Sequence, residues 1–443
     1  MNYNSGILVD TNSQLTRLKY FLEHIYSGGT PNTENSEYWT TDPHSGYAWV
    51  SIGDMSGTDL VSITYKRITE EGRLSKNLEI LPAGTLIYSM YASMGHVALL
   101  KIPATINQAL LGLKFNINID TRYAKWWLTY LRDYVAAEAS SNTQNNLNAE
   151  KVKNLPFPVI KLKTQKKIAD YLDRETARID ALIEAKEKML ALLEEKRQAL
   201  ISRAVTKGLD PDVEMKDSGI EWLGKIPAHW KIIQLKYLIN ELIQGTSPVA
   251  SNIPATENEY GVLKISSVSK GNFLPFENKA LYDLPDNLHL YTIAKDDVLM
   301  TRGNTPKLVG DACYVDQNYP NLIVPDLIYR IRTEKSKLHS KFLTYFIISN
   351  SGRMQIDQSA KGSNESMIKL SQNEILNWLI VVPSLIEQNE IVNYINTFTE
   401  KSLQLSKEIE KSIALLKERK AALISSAVTG NIVVNEENQE SKI

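Results

Sequence analysis

Residues 165–206 read QKKIADYLDRETARIDALIEAKEKMLALLEEKRQALISRAVT, and residues 388–429 read QNEIVNYINTFTEKSLQLSKEIEKSIALLKERKAALISSAVT. The two align without a gap at a constant offset of 223 residues, about half of the 443-residue chain. Tyr171 falls on Tyr394, Leu182 on Leu405, Ala199-Leu200-Ile201-Ser202 on Ala422-Leu423-Ile424-Ser425, and Ala204-Val205-Thr206 on Ala427-Val428-Thr429. Lys166 to Ala204 holds no Pro or Gly and is dominated by Ala, Leu, Glu, Lys and Arg, so each copy is predicted as one long helix. One apolar stripe runs through Ile168, Leu172, Ile179, Leu182, Ile183, Met189, Leu193, Leu200 and Ala204. The other runs through Ile391, Ile395, Phe398, Leu405, Ile409, Leu416, Leu423 and Ala427. About 40 residues make a rod of roughly 60 Å, and spacing near 3.5 favours a supercoil. Each stripe alone would stay wet, so the copies are expected to pair as a coiled coil. Antiparallel pairing is favoured because it sets the preceding segments at opposite ends. Two separate helices packed on their own heads is the alternative.

Outward from the helices, the repeat continues. Residues 1–160 mix aromatic and β-branched residues with turn signals such as Ser27-Gly28-Gly29-Thr30-Pro31. Tyr47–Ile52 and Gly84–Tyr88 read as short buried strands, and Ala124–Tyr134 has helical spacing. After residue 230 the order recurs. Leu18-Lys19-Tyr20 returns as Leu235-Lys236-Tyr237, the glycine turn as Gly245-Thr246-Ser247-Pro248, and Leu86–Met90 as Val298–Arg302. Each half then passes through a polar stretch (140–148; 362–365) into a Pro-marked strand (155–159; 379–383). The expected fold is α+β: two similar globular heads separated by two long helices. The domain reading is 1–160 for head one, 161–208 for the first helix, 209–384 for linker and head two, 385–430 for the second helix, and 431–443 for a disordered polar tail. The heads have diverged far more than the helices, which fits one scaffold presenting two different readers.

Bulk composition narrows the class. Hydrophobic content of 43% and charged content of 23% are ordinary for a soluble protein. The lone cysteine, Cys313, excludes an internal disulfide framework and fits a reducing cytosol, so a cytoplasmic location is expected. No secretory start and no run of about 18 apolar residues is present. Net charge of −1 argues weakly against a nucleic-acid binder, although the distribution of charge matters more than its sum. No phosphate loop, dinucleotide fingerprint or HExxH pattern occurs, and the six histidines lack metal spacing. Asn154-Leu155-Pro156-Phe157 only faintly matches the Asn-Pro-Pro-aromatic motif of amino-methyltransferases, with Leu at the second position, and is read as chance.

The linker TKGLDPDVEMKDSGIEWLGKIPAHWKIIQLKY (206–237) closely resembles the central region of specificity subunits of Type I restriction–modification systems. The long helices resemble that family's spacer helices. The Gly-Thr-Pro turn, Ile52-Gly53-Asp54-Met55 and Pro383–Gln388 resemble its target-recognition pattern. Family members often carry a Gly-Ile-Glu-Trp-Leu-Gly-like lead-in before the first head too, where this chain has Ser5-Gly6-Ile7-Leu8-Val9-Asp10. The resemblance implies a subunit with no catalysis and no cofactor of its own. Each head would read one half of a bipartite, asymmetric site in double-stranded DNA, and the helices would set the gap. Methyltransferase subunits and restriction (translocase-nuclease) subunits would assemble around it, with no membrane partner. Half-sites about one helical turn apart, roughly 34 Å, lie on one face of a duplex, a distance that a rod of this length can bridge.

Base readout needs donors and acceptors that enter a groove. The candidates are Thr30, Asp54, Tyr91, Ser93, Met94, Gln144 and Asn145 in head one, and Thr246, Ser266, Ser267, Arg302, Asn304, Lys361, Ser363 and Asn364 in head two. Arg302 stands out because arginine reads guanine bidentately and Gly303 permits close approach. Lys66, Arg67, Arg73 and Lys76 form a basic run suited to phosphates. Trp222 and Trp230 either face a partner or close the core beneath head two. Two rival classes remain: an enzyme carrying its own methyltransferase, opposed by the missing cofactor loop, and a coiled-coil adaptor whose heads bind proteins.

Overall fold

A computed structural model of the chain describes residues 14–91, 93–141, 147–359 and 367–432. Two compact units emerge: residues up to Lys186 together with those from Lys411 onward, and Glu187–Glu410. The divisions fall within the long helices, Leu162–Lys207 and Leu385–Val428, not at their ends.

In the first unit a five-stranded sheet runs in the order Leu22–Ser27, Leu110–Phe115, Leu86–Ser89, Val97–Leu100, Leu60–Val61. A separate four-stranded sheet runs in the order Trp39–Thr40, Lys66–Ile68, Tyr47–Val50, Ala104–Ile106. The expected helix at 124–134 is two helices, Thr121–Tyr130 and Arg132–Ser141, the first capped by the Asp120 side chain. Tyr123, Trp126, Trp127 and Leu128 from that face share a core with Leu86, Leu113, Phe157, Ile168, Ala169 and Leu172.

The second unit repeats the plan. Its central sheet is Ile239–Gln244, Ile328–Thr333, Val298–Thr301, Ala312–Tyr314, and Ser340–Ile348 and Asn350–Ser359 are its helices. The registers match: Ser89 lies opposite Leu110 in head one, and Thr301 opposite Ile328 in head two. Trp230 is fully buried in the core of this unit, with Trp222 packed partly against it, so both close the core. Cys313 is buried, and burial pushes its thiol well up.

Both units show the helices pairing antiparallel. In the first, Ile168, Ala169 and Leu172 share a core with Ile424, Ala427 and Val428, while Asp180 meets Lys420 at 2.7 Å. In the second, Ile201, Ala204 and Val205 share a core with Ile391, Val392 and Ile395, and the Lys196 ammonium sits 5.9 Å from the Phe398 ring centre. Three expected stripe members are nonetheless exposed: Leu182, Met189 and Leu405. A helix of 3.6 residues per turn drifts off a strict heptad, so the covered face keeps Ile179 and Ile183 and adds Thr176 on one helix, and keeps Ile409 and adds Ser402 and Ile413 on the other.

A glutamine fixes each head to its helix in the same way. Gln165 accepts from the Asp120 amide and donates to the Asn118 and Ile160 carbonyls. Gln388 accepts from the His339 amide and donates to the Lys337 and Pro383 carbonyls. Both side chains are buried with all these groups satisfied, as buried amides must be. The match places Asp120 on His339, Lys125 on Thr344, Trp126 on Tyr345, and Asp173 on Asn396.

Candidate nucleic-acid interface

In each head, one end of the central sheet gathers three connections. At the end of Leu22–Ser27, Gly28 lies against the 106–107 backbone, where a Cβ would meet the Asn107 carbonyl at 1.8 Å. Gly245, at the end of Ile239–Gln244, lies against 324–325, where a Cβ would meet the Pro325 carbonyl at 2.2 Å. The Gly29 amide donates to Ile106 O, and the Thr246 amide to Val324 O. The glycine turn therefore exists because only a bare Cα fits beside the neighbouring loop.

The second connection follows Leu86–Ser89 in head one and Val298–Thr301 in head two. The Met90 amide donates to Ala109 O and the Gly95 amide to Ser89 O. The Arg302 amide donates to Leu327 O and the Gly310 amide to Thr301 O. Gly95 and Gly310 both have φ of 74°. The frames are the same, yet the loops differ: residues 90–95 begin with Met90, residues 302–310 with Arg302, and the second is longer. Arg302 lies against the Tyr329 hydroxyl, and its Nε has no hydrogen-bond partner among the described residues. Gly303–Asn304 pairs with Ile368–Lys369, and Asn304 Oδ1 accepts from the Thr305 amide at 2.8 Å.

Thr30, Tyr91, Ser93 and Met94 are thus brought to one sheet end in head one; the Thr30 hydroxyl donates to Gln108, a residue the sequence reading missed. Tyr91 is exposed, whereas Ser93 and Met94 are half-buried. Thr246, Arg302 and Asn304 come to the matching end of head two. Gln144, Asn145, Lys361, Ser363 and Asn364 lie outside the described residues.

Other candidates are occupied in holding their own loops. The Asp54 carboxylate accepts from the Ser51 amide and hydroxyl and from the Tyr65 amide. Ser266 donates to Glu277 at 2.6 Å, a bond that with Lys264 holds the Glu277 carboxyl below its usual range. Ser267 is buried. The basic run is similarly mixed. Arg67 donates to the Ser45 and Gly46 carbonyls, and Arg73 to Glu70 and to Leu78 O, while Lys66 stacks 5.3 Å from the Trp39 ring centre. Lys76 is exposed. Among the described residues, no group of three His, Cys, Asp or Glu side chains could hold a metal ion, and no helix is long and apolar enough to cross a membrane.

Comparison with known proteins follows the same division. The model of the Type I restriction modification DNA specificity domain family matches residues 17–192 and 227–415. The chain is 24% identical over 309 residues to the Type I restriction enzyme EcoKI specificity subunit of Escherichia coli (strain K12), covering 68% of this chain and 63% of that relative. It is 23% identical over 226 residues to the EcoEI specificity subunit of Escherichia coli, covering 51% and 38%. These alignments span less than two thirds of the relatives' own lengths. Among solved structures, a chain from work on complex assembly and conformational transition of the type I R-M system superposes with a TM-score of 0.72 at 14% identity, covering 96% of this chain and 100% of that one. The HsdS subunit from Thermoanaerobacter tengcongensis gives 0.51 at 14% identity, covering 96% and 98%.

Proposed function

The chain belongs to the Type I restriction modification DNA specificity domain family, and from that premise we propose that it is the DNA-reading subunit of a Type I restriction–modification complex. Each head reads one half of a split, asymmetric site; the long helices set the gap and dock methyltransferase subunits, and restriction subunits join that assembly in the cytoplasm. The chain supplies recognition and leaves catalysis to its partners. The observation carrying this reading is the pair of matched sheet ends, one framework holding loops of different length and chemistry. Duplicated heads that kept their frame and changed their loops suit two different half-sites better than a single shared protein ligand, so the adaptor reading is not favoured. In this reading Thr30, Tyr91, Ser93, Met94, Thr246, Arg302 and Asn304 face base edges, with Arg302 donating bidentately to a guanine. Lys66 and Lys76 face phosphates.

Co-expression with the methyltransferase subunit of the same system, followed by single-molecule mapping of methylated adenines, tests it. The expected result is paired methylation at a split asymmetric motif, of which exchange of residues 1–160 for another head alters one half only. An active complex with no motif would leave the adaptor as the better account.

A further inference from the structure

Among the described residues, each unit buries one cation where its head meets the long helices, apart from Arg330, which is buried within the second head's own sheet, and the two cations come from different elements. In the first unit it is Lys125, on Thr121–Tyr130 and 7% exposed. Its Nζ lies 2.6 Å from Asp59 Oδ2, 3.9 Å from Asp173 Oδ1 on the long helix, and 3.9 Å from the Trp126 ring centre. Trp126 Nε1 also donates to Asp173. In the second unit it is Arg197, on the first long helix and 8% exposed, which donates to the Lys270 carbonyl at 3.1 Å and to Glu194 at 3.2 Å. A cavity of about 290 Å³ opens beside the first group and one of about 260 Å³ beside the second.

Both cations hold corresponding turns. Leu60, next to Asp59, pairs in parallel with Leu99, and Gly271, next to Lys270, pairs in parallel with Cys313 on the matching strand. Each turn in turn holds the residue that closes its reading loop. His96, directly after Gly95, contacts the Met55 and Thr58 carbonyls through Nε2, at 3.0 and 3.1 Å. Asp311, directly after Gly310, accepts from the Lys270 amide at 2.8 Å. The same linkage, from cation to turn to loop-closing residue, is thus built twice with different chemistry.

Stability alone does not call for a charge here. Replacing both partners of a buried ion pair by apolar groups is often neutral or better, whereas removing one partner alone costs stability. The repeat provides an internal control: where the first unit has Lys125, Trp126 and Asp173, the second has Thr344, Tyr345 and Asn396, joined by a neutral 2.6 Å bond from Tyr345 to Asn396. What the charged contact adds is direction, since a hydrogen-bonded ion pair fixes an orientation that apolar packing leaves loose.

We infer that Lys125 and Arg197 are positioning residues for base reading, each fastening its own head's reading loop to the long helices and each acting on one half-site alone. This rests on the specificity reading above. The test is K125M and R197M in the assembled methyltransferase complex, with methylation rates compared between the full site and sites mismatched in either half. K125M is expected to lose about tenfold of its discrimination against head-one mismatches, the value of one base contact, with head-two discrimination intact; R197M should show the reverse, and K125R should restore the wild-type ratio. If K125M does not fold, D59N removes the same anchor from its half-exposed side and carries the same expectation. Unchanged discrimination in both halves, or equal loss in both, would overturn the inference. A wild-type complex with no split motif would instead sink the specificity reading itself.

Discussion

Glu387 accepts from His229 Nε2, from Trp230 Nε1, and from both the amide and the hydroxyl of Ser384. The linker and the start of the second long helix therefore meet on one carboxylate. Partial burial pushes its pKa up, but the His229, Trp230 and Ser384 donors outweigh burial and hold it at about 2, against an ordinary 4.5. A depressed carboxylate stabilises the fold fully above its unfolded pKa and loses that contribution as pH falls through 4.5 toward 2. E387Q should therefore be less stable than the parent by up to about 3 kcal/mol near neutrality, and the gap should close as pH falls from 5 to 2. Denaturant midpoints at several pH values measure this; a gap independent of pH would show that the carboxylate's charge is not what matters. At the same scale, Gln165 and Gln388 show what sequence alone gives away. Their identity is visible as the first position of the repeat, but their three-way bonding is not, because every partner is a backbone group from a distant segment.

For the long helices, propensity and the absence of Pro and Gly made existence and approximate ends readable, since these depend on local backbone preferences. Which face is covered depended on the neighbouring helix and head. Leu182 is 52% exposed, while Ile183 is 9% exposed. L182E should change stability by no more than about 0.5 kcal/mol, as for an ordinary surface substitution. I183E forces a carboxylate into an apolar seam and should cost more than about 3 kcal/mol. Thermal melting of both variants decides between the observed seam and the even heptad stripe: comparable losses would restore the latter. The short strands were harder to place than the helices, because a few β-branched residues gain a strand's hydrogen bonds only from partners far along the chain.

In the whole molecule, the first unit is completed by the chain's later residues. Ile424, Ala427 and Val428 belong to the core of head one, and the Tyr123 hydroxyl reaches the Val428 carbonyl. Ending the chain after Glu410 removes two large aliphatic side chains from that core, worth roughly 3–6 kcal/mol, a large part of a typical stability margin. Hydrogen exchange should then show protection lost in Leu86–Ser89 and Leu110–Phe115 but kept in Val298–Thr301 and Ile328–Thr333. Equal protection in both heads would contradict this division of the cores. By itself, the sequence determined that a head-plus-helix unit is duplicated, that both helices are long, and which family the linker resembles. These are properties of local composition and of internal likeness. Only the tertiary structure decided that each helix is shared between two cores, that Asp54, Ser266 and Arg73 hold loops, and that Lys125 and Arg197 anchor matching turns. Those outcomes depend on which distant groups burial brings within hydrogen-bonding distance, and neither propensity nor periodicity encodes that.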